Sequence, residues 1–321
     1  MGFSSWSDDA YSQLSSARAG QTRDQIFTNA NRVDPTMNPH GLRFCEARDS
    51  PDHPNSVPII VAFDVTGSMG TVPERFARQE LGGLMRMLVD RGYVADPQIL
   101  MAAIGDAYCD GGPFQVGQFE SGLEMDQWLT RIWIEGGGGG QRSESYALAH
   151  WFAARHTATD AWEKRKKKGY LFTMGDEMTW DLPRDQLERI FGDKAESNLT
   201  AKELIAEASE RWEVFHLVVA EGYYGKEPDI LNHWKALVGE RALVLPDAHG
   251  ICALIATTIG LHEGTIDLQR ARTDLVAMNL GGTIADAVGT ALATVAGRAM
   301  TTAKATASLP AGKATGGVDR L

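Results

Sequence analysis

The 321-residue sequence is poor in cysteine and has no excess of positive charge. Its three cysteines, Cys45, Cys109 and Cys252, are odd in number, lie far apart and form no CxxC pair. They indicate neither a disulfide framework nor a zinc site, and they suit a reducing compartment. Lys and Arg number 31 against 42 Asp and Glu, a net charge of −11. This balance argues against a general nucleic-acid binder, which normally carries a basic face.

Long apolar segments are also missing. No uncharged apolar run approaches the roughly 20 residues that a membrane-spanning helix needs. The N-terminus lacks the basic region and the apolar core of a secretory signal. We therefore expect a cytoplasmic protein without a membrane partner. Hydrophobic residues make up 43% of the chain and charged residues 23%, values that are ordinary for a soluble globular protein.

One stretch combines a buried-strand pattern with polar residues that follow it at once. Residues 57–63 are almost all apolar, and Asp64, Thr66 and Ser68 come next at every second position. Ligands of open α/β sheets bind beyond the carboxyl ends of the strands. A carboxylate and two hydroxyls at that place are oxygen ligands for a hard divalent cation. The alternative is a helix cap, in which Thr66 or Ser68 begins the helix near Thr71.

Strands and helices alternate through the middle of the chain. Apolar runs predict further strands at 98–105, 170–174, 214–220 and 242–245, and apolar residues at helical spacing predict helices between them. This alternation predicts an α/β fold with a doubly wound, mainly parallel central sheet and helices on both faces. The alternating residues 114–119 predict an edge strand.

Composition divides the chain into four parts. They are an N-terminal arm at 1–56, an α/β domain at 57–265, a C-terminal helix at 266–300 and a flexible tail at 301–321. We interpret the arm as an ordered segment that wraps the domain through Trp6, Phe27 and Phe44, with a disordered linker as the alternative. The tail is rich in Ala, Thr, Gly and Lys, which is typical of a flexible end.

Small residues recur at every fourth position in the predicted C-terminal helix. They are Gly281, Ala285, Gly289, Ala293 and Gly297. Such a row lets a second helix approach closely. It predicts either a helix docked on its own domain or self-association through residues 280–298. A membrane helix is disfavoured because Asn279 and Asp286 interrupt the apolar stretch.

The sequence Asp64-Val65-Thr66-Gly67-Ser68 resembles the first metal-binding motif of von Willebrand factor A (VWA) domains, Asp-x-Ser/Thr-x-Ser. The resemblance covers roughly residues 57–265. It implies a metal site (MIDAS) whose ligands come from three loops at the top of the sheet. Asp176, which directly follows a predicted strand, resembles the acid that the third loop of that family supplies.

The second loop departs from the family pattern. Five glycines at 136–140 lead into Gln141, where many family members have a threonine. Ser143 and Glu144 are the alternatives for the missing oxygen ligand. The glycines allow positive φ and close backbone approach, although a merely flexible loop is the other interpretation.

Two further acids follow the strand predicted at 98–105. For Asp106 three roles are open: it supports the ligands from behind, belongs to a second cation site, or caps its loop. Asp110 lies near the same rim and is predicted to support the ligands in the same way.

The resemblance implies a metal-dependent protein-binding module rather than an enzyme. In VWA domains a bound Mg²⁺, with Mn²⁺ or Ca²⁺ as substitutes, is completed by a carboxylate from a protein partner. Soluble bacterial members often operate with MoxR-type AAA+ ATPases within larger assemblies. Such an ATPase is therefore one candidate partner.

Two other functions stay open. The sequence Phe63-Asp64-Val65-Thr66 also resembles the phosphorylation motif of haloacid dehalogenase-like phosphatases and P-type pumps, which would make Asp64 a nucleophile and Asp176 a metal-binding acid. Against the phosphatases, Thr66 stands at the position where they carry an acid–base aspartate. Against the pumps, the sequence lacks their membrane segments. Both need a lysine at a strand end, and Lys168 is the one candidate for it. The third alternative is an assembly protein with a degenerate metal site.

Overall fold

The computed structural model describes residues 4–29, 31–76, 78, 81–278 and 282–293. The strands are β1 (Cys45–Ala47), β2 (Val57–Asp64), β3 (Pro97–Ile104), β4 (Phe114–Val116), β5 (Ser143–Glu144), β6 (Thr157–Thr159), β7 (Gly169–Gly175), β8 (Met178–Thr179), β9 (Trp212–Val219) and β10 (Ala242–Leu245). The α-helices are α1 (Asp8–Arg18), α2 (Arg23–Ile26), α3 (Val72–Arg75), α4 (Leu81–Met85), α5 (Glu124–Arg131), α6 (Ala147–Arg155), α7 (Asp160–Arg165), α8 (Arg184–Phe191), α9 (Ala201–Ala208), α10 (Pro228–Val238), α11 (Ile251–Glu263) and α12 (Leu268–Ala277).

The fold is mixed α/β and is built on a six-stranded sheet in the order β10-β9-β7-β2-β3-β4. All neighbouring strands are parallel except β4, which pairs antiparallel with β3. The central strand β2 is buried over its whole length. Parallel strands covered on both faces are near-continuous apolar runs, which is why the sequence pattern located them.

Side chains of β2 alternate between two hydrophobic cores. Ile59, Val61 and Phe63 belong to one core, together with residues of α4 and α11. Ile60 and Ala62 belong to the other, together with residues of α6 and α9. The period-two alternation of a strand thus places helices against opposite sides of the sheet.

The sequence prediction missed two small sheets. β1 pairs in parallel with β6, and β5 pairs in parallel with β8. Each of these strands has only two or three residues, too few to show a pattern. The pairing of β1 joins the N-terminal segment to the middle of the chain.

The N-terminal segment contributes to the core of the sheet. Tyr11, Ile26, Phe27 and Met37 are buried in the same core as one face of β2. The prediction of Phe44 as an anchor was wrong, because its side chain is 44% exposed. Cys45 and Ala47 are the inward-facing residues of β1, and strand alternation turns neighbouring side chains the other way.

The C-terminal helix predicted at 266–300 is not one uninterrupted helix. α12 ends at Ala277 with Met278 as its cap, and residues 282–293 form a second helical stretch. Val288 and Leu292 of this stretch are fully buried in the core. Gly281, Gly297 and the tail at 301–321 lie outside the described residues. Among the residues described, no helix is long and apolar enough to cross a membrane.

One glycine of α4 sets the distance to α1. A Cβ at Gly82 would lie 2.5 Å from Tyr11 Cε1, whereas a Cβ at the neighbouring Gly83 would meet only Met278 Cε at 3.9 Å. We expect Gly82→Ala to displace Tyr11 and to lower the free energy of unfolding by about 1–3 kcal/mol. Gly83→Ala, the matched control, should raise it by up to about 1 kcal/mol, because alanine favours the helix. Urea denaturation of both variants tests this, and equal stabilisation by both substitutions would contradict it.

Candidate metal centre

The carboxyl ends of three adjacent strands bring acidic residues to one edge of the sheet. Asp64 is the last residue of β2, Asp106 follows β3 by two residues, and Asp176 directly follows β7. All three side chains are buried. The residues that the sequence placed at separate strand ends are therefore neighbours at the edge where open α/β sheets bind ligands.

Asp64 is held by three hydrogen bonds. Its Oδ1 accepts from the Thr66 N–H at 2.7 Å and from the Thr66 hydroxyl at 2.6 Å. Its Oδ2 accepts from the Tyr146 hydroxyl at 2.6 Å. A Cβ at Gly175 would lie 1.8 Å from that phenol oxygen, so only glycine at this strand end leaves room for Tyr146.

Ser68 connects the first loop to the third. Its hydroxyl donates to Asp176 Oδ1 at 2.7 Å and lies 3.2 Å from the Thr66 hydroxyl. Asp176 Oδ2 accepts from the Tyr224 N–H at 3.0 Å. Each hydroxyl thus gives its proton to an aspartate, which leaves its lone pairs available on the other side.

The two hydroxyl residues line an open cleft of about 320 Å³. Glu144, Glu177 and Tyr223 also line it, whereas Asp64 and Asp176 lie behind the hydroxyls. Glu177 was not predicted from the sequence. Its signal was the Asp176-Glu177 doublet at the end of β7, where the turn into β8 directs both acids to the site.

Glu144 is the second-loop residue that reaches the cleft. It is 1% exposed, and its Oε2 has no hydrogen-bond partner among the described residues. Ser143 does not line the cleft, because adjacent residues of β5 point to opposite sides. Burial, together with the nearby charges of Asp64 and Glu177, raises the pKa of Glu144 to about 11.

The other acids of the site have raised pKa values for the same reason. Burial raises the pKa of Asp64 to about 7, against the hydrogen bonds from Thr66 and Tyr146. Burial and the charges of Asp64 and Asp176 raise the pKa of Glu177 to about 7. Burial also raises the pKa of Asp176. Each carboxylate is costly to ionise here unless a cation is added.

Asp110 and Asp106 shape the loops around the cleft. Asp110 Oδ1 accepts from the Gly138 N–H at 2.8 Å, and a Cβ at Gly137 would lie 2.1 Å from that same oxygen. Asp106 Oδ1 accepts from the Tyr108 N–H at 2.8 Å. Gly138 has a φ of 105°, which L side chains rarely adopt. Both aspartates therefore accept hydrogen bonds from backbone N–H groups, and the bond to Asp110 helps to hold the glycine run in place.

The donor set fits a hard divalent cation. No described Lys, Arg or His forms an ion pair with Asp64, Glu144, Asp176 or Glu177. The free, buried oxygen of Glu144 is an orphaned acceptor at the cleft. Among the described residues, no three His, Cys, Asp or Glu side chains are grouped closely enough to hold a metal by themselves. The fit therefore depends on a mixed set of hydroxyls, carboxylates and water.

Lys168, the lysine considered above for phosphoryl transfer, does not lie at this edge. Lys168 directly precedes β7, whereas Asp176 directly follows it. The Lys168 Nζ donates to the Ser209 carbonyl at 2.7 Å. A seven-residue strand spans about 20 Å, so Lys168 lies at the opposite edge of the sheet.

No protein-family model matches this chain. The search of curated proteins also found no match. Similar solved structures include the pilus adhesin SpaC from Lactobacillus rhamnosus GG in its open conformation, at 10% identity and a TM-score of 0.45, over 67% of this chain and 31% of the adhesin. Proximal thread matrix protein 1 from the mussel byssus matches at 11% identity and a TM-score of 0.41, over 67% of this chain and 48% of that protein.

This chain thus spans less than half the length of either protein. Similarities of this size do not assign the chain to a family.

Proposed function

We propose that this chain is a VWA-like, metal-dependent protein-binding module with a doubly wound sheet. The observation that carries the proposal is the cleft at the carboxyl edge of the sheet. The Thr66 and Ser68 hydroxyl residues line this cleft together with Glu144, whose Oε2 has no hydrogen-bond partner among the described residues, and Asp64 and Asp176 accept the hydroxyl protons. Mg²⁺, or Mn²⁺ or Ca²⁺ in its place, would supply positive charge and open coordination positions there.

The residues have distinct parts in this proposal. Thr66, Ser68 and Glu144 offer oxygens to the cation, and Asp64 and Asp176 orient the hydroxyls and add negative charge from behind. Residues that hydrogen-bond to the metal ligands, rather than to the metal itself, strongly influence metal affinity. Tyr223, which is 79% exposed at the rim, offers a docking partner an aromatic contact beside the ion.

The partner in this proposal is a protein that places a carboxylate in the cleft, in the cytoplasm and within a larger assembly. A MoxR-type AAA+ ATPase is one candidate. Binding is favoured over phosphoryl transfer from Asp64, because both oxygens of this carboxylate are engaged and the side chain is fully buried. A nucleophile would need an accessible oxygen.

Calorimetric titration of Mg²⁺ and Mn²⁺ into the full chain tests the proposal. We expect saturable binding that weakens by about 10- to 100-fold in Asp64→Asn, because the amide removes a charge and a proton acceptor behind the ligands. Asp52→Asn is the matched control, since Asp52 is exposed and precedes the opposite end of β2. Phosphate trapping on Asp64 would instead favour the enzyme alternative.

The partner is tested on the same variants. Affinity capture in the presence of Mg²⁺ should retain a protein that chelator releases and that Asp64→Asn fails to retain. Identical retention by Asp64→Asn and by the wild-type chain would contradict docking through the ion.

A further inference from the structure

A second cleft, of about 490 Å³, lies between the N-terminal segment, the loop before β4 and α8. It shares no lining residue with the candidate metal centre. Its walls carry Arg32, Arg189 and His40, and none of its lining residues is Asp or Glu. In a chain with 42 acidic and 31 basic residues, this is a local reversal of charge. Such a reversal favours an anionic ligand.

The Arg189 guanidinium is positioned without an acidic partner. Its Nε donates to Gln186 Oε1 at 2.9 Å, and its Nη2 donates to the Ala107 carbonyl. Arg32 forms no ion pair with any described residue. Neither guanidinium is paired with a carboxylate of a described residue, and the Nη1 donors of Arg189 have no hydrogen-bond partner among those residues. Guanidinium donors of this kind bind phosphate or carboxylate oxygens.

Another part of the wall is formed by the Trp133 ring and the two glycines on which it packs. Cβ atoms at Gly111 and Gly112 would each lie 3.3 Å from the Trp133 ring, so the indole packs directly on these glycines. Gln115 donates to the Trp133 carbonyl and accepts from the Trp133 N–H, both at 2.8 Å. The Glu135 carboxylate accepts from the N–H groups of both glycines at 3.0 Å. These bonds hold the Trp133 backbone and the two glycines against which the indole packs.

We infer that this cleft binds a small ligand that combines a phosphate or carboxylate group, held by Arg32 and Arg189, with a flat apolar body that packs on Trp133. The volume lies in the usual range for small-molecule sites, about 300–1,000 Å³. A small number of placed polar and charged groups orients a ligand in such sites. This site is independent of the metal-dependent docking proposed above.

Calorimetry on the full chain tests the site with phenyl phosphate as the probe. We expect saturable binding of phenyl phosphate, and weaker binding of inorganic phosphate and of phenol, since each supplies only one of the two features. Arg32→Gln and Arg189→Gln should each weaken phenyl phosphate binding by at least about tenfold, the usual loss for a charged hydrogen bond. Arg184→Gln, an exposed arginine on the same helix and outside the cleft, is the matched control.

Three results would overturn the inference. They are the absence of saturable heat with phenyl phosphate, wild-type affinity in both cleft variants, and inorganic phosphate binding as tightly as phenyl phosphate. Unchanged thermal unfolding of the variants confirms that they fold. Asp64→Asn should bind phenyl phosphate with wild-type affinity. The test of this cleft is therefore independent of whether the candidate metal centre binds a cation.

Discussion

Glu144→Gln should stabilise the metal-free protein near pH 7.5 by about 2–4 kcal/mol. The pKa of Glu144 is raised from an ordinary 4.5 to about 11, by burial first and then by the charges of Asp64 and Glu177. The unfolded chain ionises this group above about pH 4.5, while the folded chain keeps it protonated. This difference favours unfolding, and glutamine removes it without changing the size of the side chain.

Urea denaturation in the presence of a chelator measures this effect. Glu196→Gln, at an exposed position, is the control and should leave the stability unchanged. The advantage of Glu144→Gln should vanish near pH 4, where the wild-type residue is protonated in both states. With saturating Mg²⁺ the wild-type chain should become more stable than Glu144→Gln, because the amide is a poorer ligand than the carboxylate. No gain near neutral pH would mean that Glu144 already has a counter-charge.

The second large effect is a loss of stability with rising pH in the metal-free wild-type chain. Burial raises the pKa values of Asp64 and Glu177 to about 7. The folded state then binds more protons than the unfolded state between about pH 4 and pH 7, so the free energy of unfolding falls across this window. The shift of Asp64 alone corresponds to a loss on the order of 4 kcal/mol.

Denaturation midpoints near pH 5, 6.5 and 8 measure this slope with and without Mg²⁺. We expect a steep decline in chelator and a flatter curve with Mg²⁺, since a cation stabilises the ionised carboxylates. Asp64→Asn should make the curve in chelator less steep, with Glu144 and Glu177 still contributing to the slope. Asp52→Asn should leave the slope unchanged. A flat profile for the metal-free wild-type chain would show that these acids ionise without cost.

The sequence was sufficient for the strands that form the sheet, and the reason is physical. β2 and β7 are buried on both faces, so their apolar runs are unbroken and their polar ends stand out. The same signal located Asp64 and Asp176 at strand ends. The antiparallel edge strand β4 was also predicted, although it is shorter than the pattern at 114–119.

Other parts of the site depend on contacts between distant residues. β5 and β8 have two residues each and exist only because they pair. That pairing turns Glu144 into the cleft and Ser143 away from it, a choice that spacing alone left open. Glu177 was missed because the turn after Gly175 ends the strand alternation on which the prediction relied.

The glycine run at 136–140 also bears on how fast the site can respond to an ion. Glycine is the most mobile residue in an unfolded chain, and ordering it opposes folding by roughly 1 kcal/mol per residue more than alanine. Here Asp110 and the Gly67 N–H, which donates to the Gly137 carbonyl at 2.9 Å, already hold the loop. Its entropy is therefore lost during folding rather than during cation capture. In the metal-dependent function proposed above, cation capture would then require no closure of this loop.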